Sequence, residues 1–533
     1  MKSWNIIFIC LLGITWTNCS ENKTDITKQH IIICNQQFVD SQQRTIIWNG
    51  LNHVNKNQKQ GYVDDNDEKL FRQFQLWGVN CIRYGIHWDG LEPEPGKISE
   101  SYLREIDKRV YWARQNNIGL ILDMHQDLYG RKFDNGAPLW ATLDEGLPHV
   151  TGQVWSDAYL MSPAIQKSFD NFWDNKLATD GIGVQDHYVN IWKKIAERYA
   201  DSISVVGFDV MNEPFMGTSS LIVVKKLMQG CASYLAEEQQ TNVSEKEMLA
   251  IWSDEKKRNE VLTSLDDKKI FLGILEHAAE EVHFFEENQL STFYQKVRDA
   301  VRSTGSQQIL FLEHSYFCNM GIESTFRTPL DPDGKPDKLC AYAPHAYDLV
   351  VDTEGATNPG YKRLDTIFEQ IQTSAQNRNL PIFIGEWGAF YMGGKYLHPA
   401  QHHIHWIAKL KAGHAYWSWW KDIETQDYFS TVIFRPYPQC INGKLINYEY
   451  DTNSNSFVCQ WKEDKGNASS RFYLPNVNVI KNEKFKILPE SGYKVTRISD
   501  TSEAGYLEIQ PCGRARELRI LLDKTIEQQK DKK

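Results

Sequence analysis

No two of the 10 cysteines in this chain stand as Cys-x-x-Cys, so neither a zinc ribbon nor a redox pair is indicated. Ten cysteines in 533 residues are also too few for a disulfide-dense scaffold. Beyond the N-terminal segment, no apolar run reaches the roughly 20 residues that a membrane-spanning helix needs. Positive charge is in deficit: 59 Lys and Arg against 69 Asp and Glu leave a net charge of −10, which argues against nucleic acid as a partner. There is no internal repeat or low-complexity tract, and the charged stretch 525–533 carries no lipid-anchor signal.

What remains is a soluble globular composition, 41% hydrophobic and 24% charged, in a chain long enough that two domains are the default. Aromatics make up 12%, with 17 Trp, which suits a cleft that stacks on sugar rings, although large barrels also use Trp as core. At the N-terminus Lys2 precedes the apolar run Ile6–Ile14, too short to span a bilayer, and then the polar Thr17-Asn18-Cys19-Ser20. Residues 1–19 therefore read as a cleavable signal peptide, with an uncleaved anchor as the alternative, and the protein is expected to be secreted or lumenal. Cys440 and Cys459 flank a strand-turn-strand pattern around Asn442-Gly443 and are expected to be bridged; Cys318 and Cys340 are a second pairing, and Cys81 reads as a free core thiol. Sequons at Asn22, Asn242 and Asn467 are candidate glycosylation sites.

Along the chain, strand and helix signals alternate. Strands are expected at 44–55, 79–88, 118–127, 205–213, 308–314, 339–348, 381–387 and 414–420, with amphipathic helices between them. This is the (β/α)8 TIM-barrel pattern of an α/β protein, over residues 30–428. Residues 216–303 are helical in pattern but too long for one crossover, and read as an insertion at the active-site end. From 429 to 525 short alternating strands separated by turn residues indicate a small C-terminal antiparallel β-sandwich, followed by a charged tail, 526–533.

The chemistry gathers at the predicted C-terminal ends of the barrel strands. Val205-Val206-Gly207-Phe208-Asp209-Val210-Met211-Asn212-Glu213-Pro214 is a buried strand that Pro214 terminates, leaving Glu213 at its tip. Pro381-Ile382-Phe383-Ile384-Gly385-Glu386-Trp387-Gly388 repeats the arrangement with Glu386. Two carboxylates at strand tips are the minimum for cleaving a glycosidic bond: Glu386 as nucleophile, Glu213 as proton donor and then base. Arg83 and Tyr347 can donate hydrogen bonds to Glu386, Asn212 can meet a sugar 2-hydroxyl, Asp123, His125 and His345 can bind hydroxyls, and Trp417 or Trp419 can form the floor beneath the sugar. Each also has a plainer reading: Arg83 as an ion pair with Asp123, His345 as a core histidine, one of the two tryptophans as packing. Glu313, a third strand-tip glutamate, ranks below the other two because it lacks their flanking motifs. His398, His402, His403 and His405 resemble a metal cluster, but Pro399 suggests a helix start and only some of them share a face; no metal and no cofactor is expected.

The Asn212-Glu213-Pro214 strand end, Gly385-Glu386-Trp387-Gly388, Asn80-Cys81-Ile82-Arg83-Tyr84 and Pro344-His345-Ala346-Tyr347 resemble glycoside hydrolase family 5 of clan A. Leu122-Asp123-Met124-His125-Gln126-Asp127 resembles its endoglycoceramidase subgroup, as does the appended sandwich. The resemblance implies a retaining endo-β-glycosidase that cuts glycosphingolipids between oligosaccharide and ceramide, with Glu213 as acid/base and Glu386 as nucleophile. It also implies sugar contacts from Asn212, His125, Asp123, Tyr347 and a tryptophan of the last strand, and matches Lys56 to a substrate-binding lysine. The partners that go with this reading are a glycosphingolipid at a membrane or micelle surface and an activator or detergent-like molecule that presents the lipid. A β-glucosylceramidase, or a polysaccharide endo-β-glucanase or mannanase, on the same scaffold is the alternative within the class. An inactive carbohydrate-binding protein is the alternative outside it.

Overall fold

The computed structural model describes residues 31–522 apart from 66, 240–242, 253, 391–394, 465 and 482–484. The expected leader and tail and the sequons at Asn22 and Asn242 lie outside the described residues; Asn467 lies on an exposed loop. Eight parallel strands form the barrel: β1 (Asn49–His53), β2 (Cys81–Ile86), β3 (Gly119–Met124), β4 (Val205–Asp209), β5 (Ile309–Leu312), β6 (Cys340–Tyr342), β7 (Phe383–Ile384) and β8 (Gly413–Tyr416). Hydrogen bonding runs β7-β8-β1-β2-β3-β4-β5-β6. The ring closes between β6 and β7 through a parallel bridge from Tyr342 to Ile382 and, one step higher, by His345 pairing with Glu386.

The period of two along each strand sorts the interior into layers. Cys81, Ile121, Phe311, Ala341, Phe383 and Ala415 point inward as one apolar cluster. Two residues further along the same strands come Arg83, Asp123 and Glu313. The polar site is thus the next interior layer above an apolar floor. Outward-facing Leu51, Ile82, Leu120, Leu122, Phe208 and Leu310 pack with the helices in the main core.

The expected insertion 216–303 is shorter in the structure. The helix Ser291–Arg302 packs against Val184–Tyr199 and is the barrel's own crossover between β4 and β5. The additional helices are α1 (Ser220–Gln239), α2 (Glu245–Trp252), α3 (Glu255–Ser264) and α4 (Lys268–Phe285). They carry a small core of their own around Cys231, Leu235, Met248, Leu262, Leu265 and Ile274. Among the described residues no helix is long and apolar enough to cross a membrane.

The segment expected as one strand over 44–55 is divided. Arg44–Ile46 leaves the barrel and pairs, together with a hairpin of Ile32–Cys34 and Gln37–Val39, with Tyr437–Asn442 of the C-terminal region. The result is a seven-stranded antiparallel sheet beside a four-stranded one, Lys444–Asp451, Ser456–Lys462, Ala515–Leu521 and Phe485–Leu488. Phe38 of that hairpin stacks on Phe311 at 6.0 Å and seals the barrel floor.

The expected disulfides do not form. Asn442-Gly443 is not a hairpin turn: Gly443, at φ +88°, carries the chain from the seven-stranded sheet into the four-stranded one, and a Cβ there would meet Lys462 O at 2.3 Å. Cys440 therefore packs in the barrel-floor cluster and Cys459 in the sandwich core, and both thiols are free. Cys318 and Cys340 are buried and free as well. Alkylation of the denatured, unreduced protein should label Cys440, Cys459, Cys318 and Cys340, and peptide mapping should recover no cross-linked pair among them.

Candidate active site

Arg83 enters the barrel from β2 fully buried, and every one of its nitrogens is engaged. Nε donates to Asp209 Oδ2 (2.7 Å), Nη1 to Asn52 Oδ1 (3.0 Å) and Glu386 Oε1 (2.8 Å), and Nη2 to Asn212 Oδ1 (2.9 Å) and Glu313 Oε1 (2.8 Å). Asp123 Oδ1 lies 2.9 Å from Nη2. Asn52 can accept from the guanidinium because its own amide nitrogen is spent on Gly385 O and Ala415 O. Oxygens of Asp123, Asp209 and Glu313 lie within 4.8 Å of one another, a spacing that can hold a metal ion, but the guanidinium already supplies the positive charge among them.

Above Arg83 sit the two strand-tip glutamates. Glu386 takes Arg83 on Oε1 and the Tyr347 hydroxyl on Oε2 (3.0 Å). Glu213 Oε1 takes Asn319 Nδ2 (2.7 Å) and faces His345 Nδ1 (2.9 Å). His345 Nδ1 is also 3.5 Å from Glu386 Oε2, so one imidazole lies between the carboxylates, and an oxygen of each glutamate falls within 4.8 Å of the other. Burial works against charge on His345, but Glu313, Glu386 and the hydrogen bond to Glu213 outweigh it and hold its pKa well above the usual range. Burial raises the Glu386 carboxyl, while His345 and Arg83 pull it back. Asp209 goes further up, pushed by burial and by Glu313 more than Arg83 restrains it.

Glu213 occupies the left-handed region, φ +45°, which a side chain with a Cβ rarely adopts. Its neighbours hold it there. Its N–H donates to Glu313 Oε2 at 2.7 Å, and Gln126 Nε2 donates to Asn212 O at 2.9 Å. Just before and after it, Tyr188 and Trp192 donate to Val210 O, and Trp173 donates to Phe215 O. A turn of this kind is over-determined by side chains from β3, β5 and the packed helices.

One wall of the cleft is a charged row. His125 Nδ1 meets Asp123 Oδ2 at 2.8 Å, its Nε2 lies 3.3 Å from Asp127, and Asp127 Oδ2 pairs with Lys56 at 2.6 Å. Trp417 stacks on the His125 ring (centroids 5.2 Å apart, planes at 15°), and Lys56 Nζ lies 4.8 Å from the Trp417 ring centre. Asn212 spends its oxygen on Arg83 and a nitrogen on Gln126 O.

The structure thus brings Lys56, Arg83, Asp123, His125, Asn212, Glu213, His345, Tyr347, Glu386 and Trp417 to one end of the barrel. Trp419 is half-buried and packs edge-on to His53 (5.1 Å) and Phe74 (6.2 Å). Three of the four histidines of the 398–405 segment have different partners: His402 meets Asp365, His403 meets Pro399 O, and His405 lies near Glu449, while His398 lines a pocket with His402. Glu313 belongs at the centre of the site, contrary to the ranking its flanking residues suggest. Its parity on β5, two residues past Phe311, was the available signal. Asp209, Asn52 and Asn319 were not singled out; Asp209 carried the same parity signal on β4.

The family profile described as cellulase (glycosyl hydrolase family 5) matches residues 39–423, and that of the glycoside hydrolase family 5 C-terminal domain matches residues 435–512. A curated relative, an endoglycoceramidase of Cyanea nozakii, is 32% identical over 211 residues, 34% of this chain and 41% of that protein. An endoglycoceramidase of Hydra vulgaris is 32% identical over 197 residues, 32% of this chain and 36% of that one. The chain thus matches less than half the length of either relative. Among solved structures, endo-glycoceramidase II from Rhodococcus sp., in a complex with ganglioside GM3, superposes with a TM-score of 0.68 at 22% identity, covering 92% of this chain and 99% of that one. At that identity the likeness speaks for the fold.

The charged row has a measurable signature. Burial opposes a charge on His125, but Asp123 and Asp127 raise its pKa from 6.5 to about 9. A raised folded-state pKa contributes stability that is complete below pH 6.5 and is lost as pH rises through about 9. The contribution is on the order of 3 kcal/mol. The melting temperature should therefore fall between pH 7 and pH 10, and His125→Gln should flatten that part of the profile.

Proposed function

The chain belongs to glycoside hydrolase family 5, and on that premise we propose that it is a secreted, retaining endo-β-glycosidase that cuts glycosphingolipids between the oligosaccharide and ceramide. The observation that carries the reading is the Glu213–His345–Glu386 group, with one oxygen of each carboxylate within 4.8 Å of the other. Retaining enzymes hold their carboxyl groups about 5–5.5 Å apart, whereas inverting ones leave room for a water between them. Glu386, held by Arg83 and Tyr347, attacks the anomeric carbon; the bond to the ceramide oxygen breaks and Glu213 gives that oxygen its proton. Water then attacks the glycosyl ester, Glu213 takes its proton, and Glu386 leaves as carboxylate, so configuration is retained over two inversions.

The ceramide reading rests on the named relatives and on an apolar rim. Leu221 and Ile222, in the first turn of α1, are each 47% exposed, and α1 leaves the chain directly behind Glu213. The short helix Asp157–Met161 packs on α1 and adds exposed Met161, with Trp155 beside Lys56. Val223 is fully buried and belongs to the core, so only part of the 221–224 stretch can meet an acyl chain. Each buried methylene contributes about 0.8 kcal/mol. The double variant Leu221→Ser/Ile222→Ser should therefore lose roughly tenfold or more in kcat/KM on a ganglioside. It should keep its rate on an aryl β-lactoside; equal losses on both would mark the helix as structural only. Thin-layer analysis of the ganglioside digest decides the substrate. Intact oligosaccharide plus ceramide supports the reading, and stepwise trimming from the non-reducing end excludes it.

The roles of the two glutamates separate by product configuration. With a good leaving group, Glu213→Ala should still load the enzyme and then stall, a loss of roughly 10²–10⁴-fold. Azide, which needs no base, should restore turnover and give the β-glycosyl azide. Glu386→Ala should give the α-glycosyl azide, because azide then replaces the nucleophile from the opposite face. The reverse pattern by NMR would exchange the two roles.

A further inference from the structure

The short helical turn Tyr316–Met320, which follows β5, lies against Glu213 and is anchored from behind. Glu286, fully buried where α4 passes into the next helix, accepts from Ser315 N (2.8 Å), Ser324 Oγ (2.9 Å), Phe326 N (3.1 Å) and Thr325 N. The extra helices thereby fix the loop that carries Asn319.

From the barrel side a second set of contacts reaches the same residue. The Tyr342 hydroxyl is 2.7 Å from His314 Nδ1, His314 Nε2 is 2.7 Å from Asn319 Oδ1, and Asn319 Nδ2 is 2.7 Å from Glu213 Oε1. The direction of each hydrogen bond follows from the donors available. A carboxylate oxygen can only accept, so the Asn319 amide turns its nitrogen to Glu213 and its oxygen to His314. His314 must then donate from Nε2. Burial, against the Asn319 hydrogen bond, pushes the His314 pKa down to about 3, so the ring is neutral and carries one N–H. Nδ1 is left as acceptor, and the Tyr342 hydroxyl donates to it.

We propose that Tyr342, His314 and Asn319 form a neutral positioning chain for Glu213, deepening the acid/base reading above and resting on it. The chain and His345 together occupy Oε1; among the described residues no donor reaches Oε2. Oε2 is therefore the oxygen that faces the cleft and carries the proton to the leaving group. A charged donor in place of Asn319 would add to the field of His345; an amide with its oxygen pinned by His314 orients the carboxyl without adding charge. His314 and Tyr342 are buried behind Asn319 and act on Glu213 only through it.

The test compares two substrates with the same sugar, 2,4-dinitrophenyl β-lactoside, whose departure needs no acid, and phenyl β-lactoside, whose departure does. Asn319→Ala should lose roughly 10–100-fold in kcat/KM on the phenyl substrate and under about threefold on the dinitrophenyl one. His314→Phe, which does not touch Glu213, should give the same selectivity. The double variant should be no worse than Asn319→Ala, because both changes break one chain. Uniform losses on the two substrates, or additive losses in the double variant, overturn the proposal. If Asn319→Ala does not fold, Asn319→Ser and Tyr342→Phe carry the same comparison. Glu213→Gln is the reference. Uniform loss in that variant overturns the acid/base reading itself; selective loss there with uniform loss in Asn319→Ala overturns only the chain.

Discussion

Arg83 brings a charge that cannot be neutralised into a place without water, and four carboxylates from four other positions in the ring come with it. An unpaired charge there would cost several kcal/mol even after relaxation, so the guanidinium is buried only together with carboxylate partners. The guanidinium is planar with its donors in a fixed fork, which ties the direction of each carboxylate to the direction of every other. Glu386 is aimed by the same side chain that aims Glu313, and Glu313 fixes the backbone of Glu213. The two glutamates of the cleft are therefore set relative to each other through one residue beneath them.

Such a cluster has an excess of acids. Asp123, Asp209, Glu313, Glu386 and Glu213 face Arg83, His345 and His125 as the available cations. The imbalance is resolved by shifting protons: the two imidazoles are held in their charged forms, and burial pushes the Asp209 and Glu386 carboxyls up, Asp209 the further. Catalysis of the proposed kind needs one carboxylate and one carboxylic acid side by side, and a site that already distributes protons unequally among buried acids is suited to it.

How far the sequence foretold this depends on the range of the signal. Strand ends are local: an apolar run, then a carboxylate, then Pro or Gly, and these read correctly for Glu213 and Glu386. Layering is also local, since residues two apart share a face, and that parity puts Glu313 and Asp209 on the inward face, whatever residues flank them. Asn319 is different. It sits in a short helical turn that no sequence motif marks, and its meaning comes from the distance to a residue about a hundred positions earlier. The cysteines failed for a related reason. A Gly at φ +88° can close a hairpin or pass a chain between sheets, and only the pairing of both strands decides which. The first strand divides where the sequence shows no break: Arg44–Ile46 and Asn49–His53 are separated by two residues yet belong to different sheets.

That last division bears on how the molecule is made. The Thr45 hydroxyl donates to Gly443 O, 398 residues away, and Phe38 needs the same sheet behind it to stay against the barrel floor. At a ribosomal rate of about 5–20 residues per second, the N-terminal strands emerge roughly 20–80 s before the partners that complete their sheet. Until then an apolar hairpin and the open lower end of the barrel are both exposed to whatever else binds nascent chains. Cutting the gene at the apparent boundary near residue 430 would leave Arg44–Ile46 without its Tyr437–Asn442 partner and Phe38 without the sheet behind it. Two regions that are separate along the sequence share one sheet in the fold.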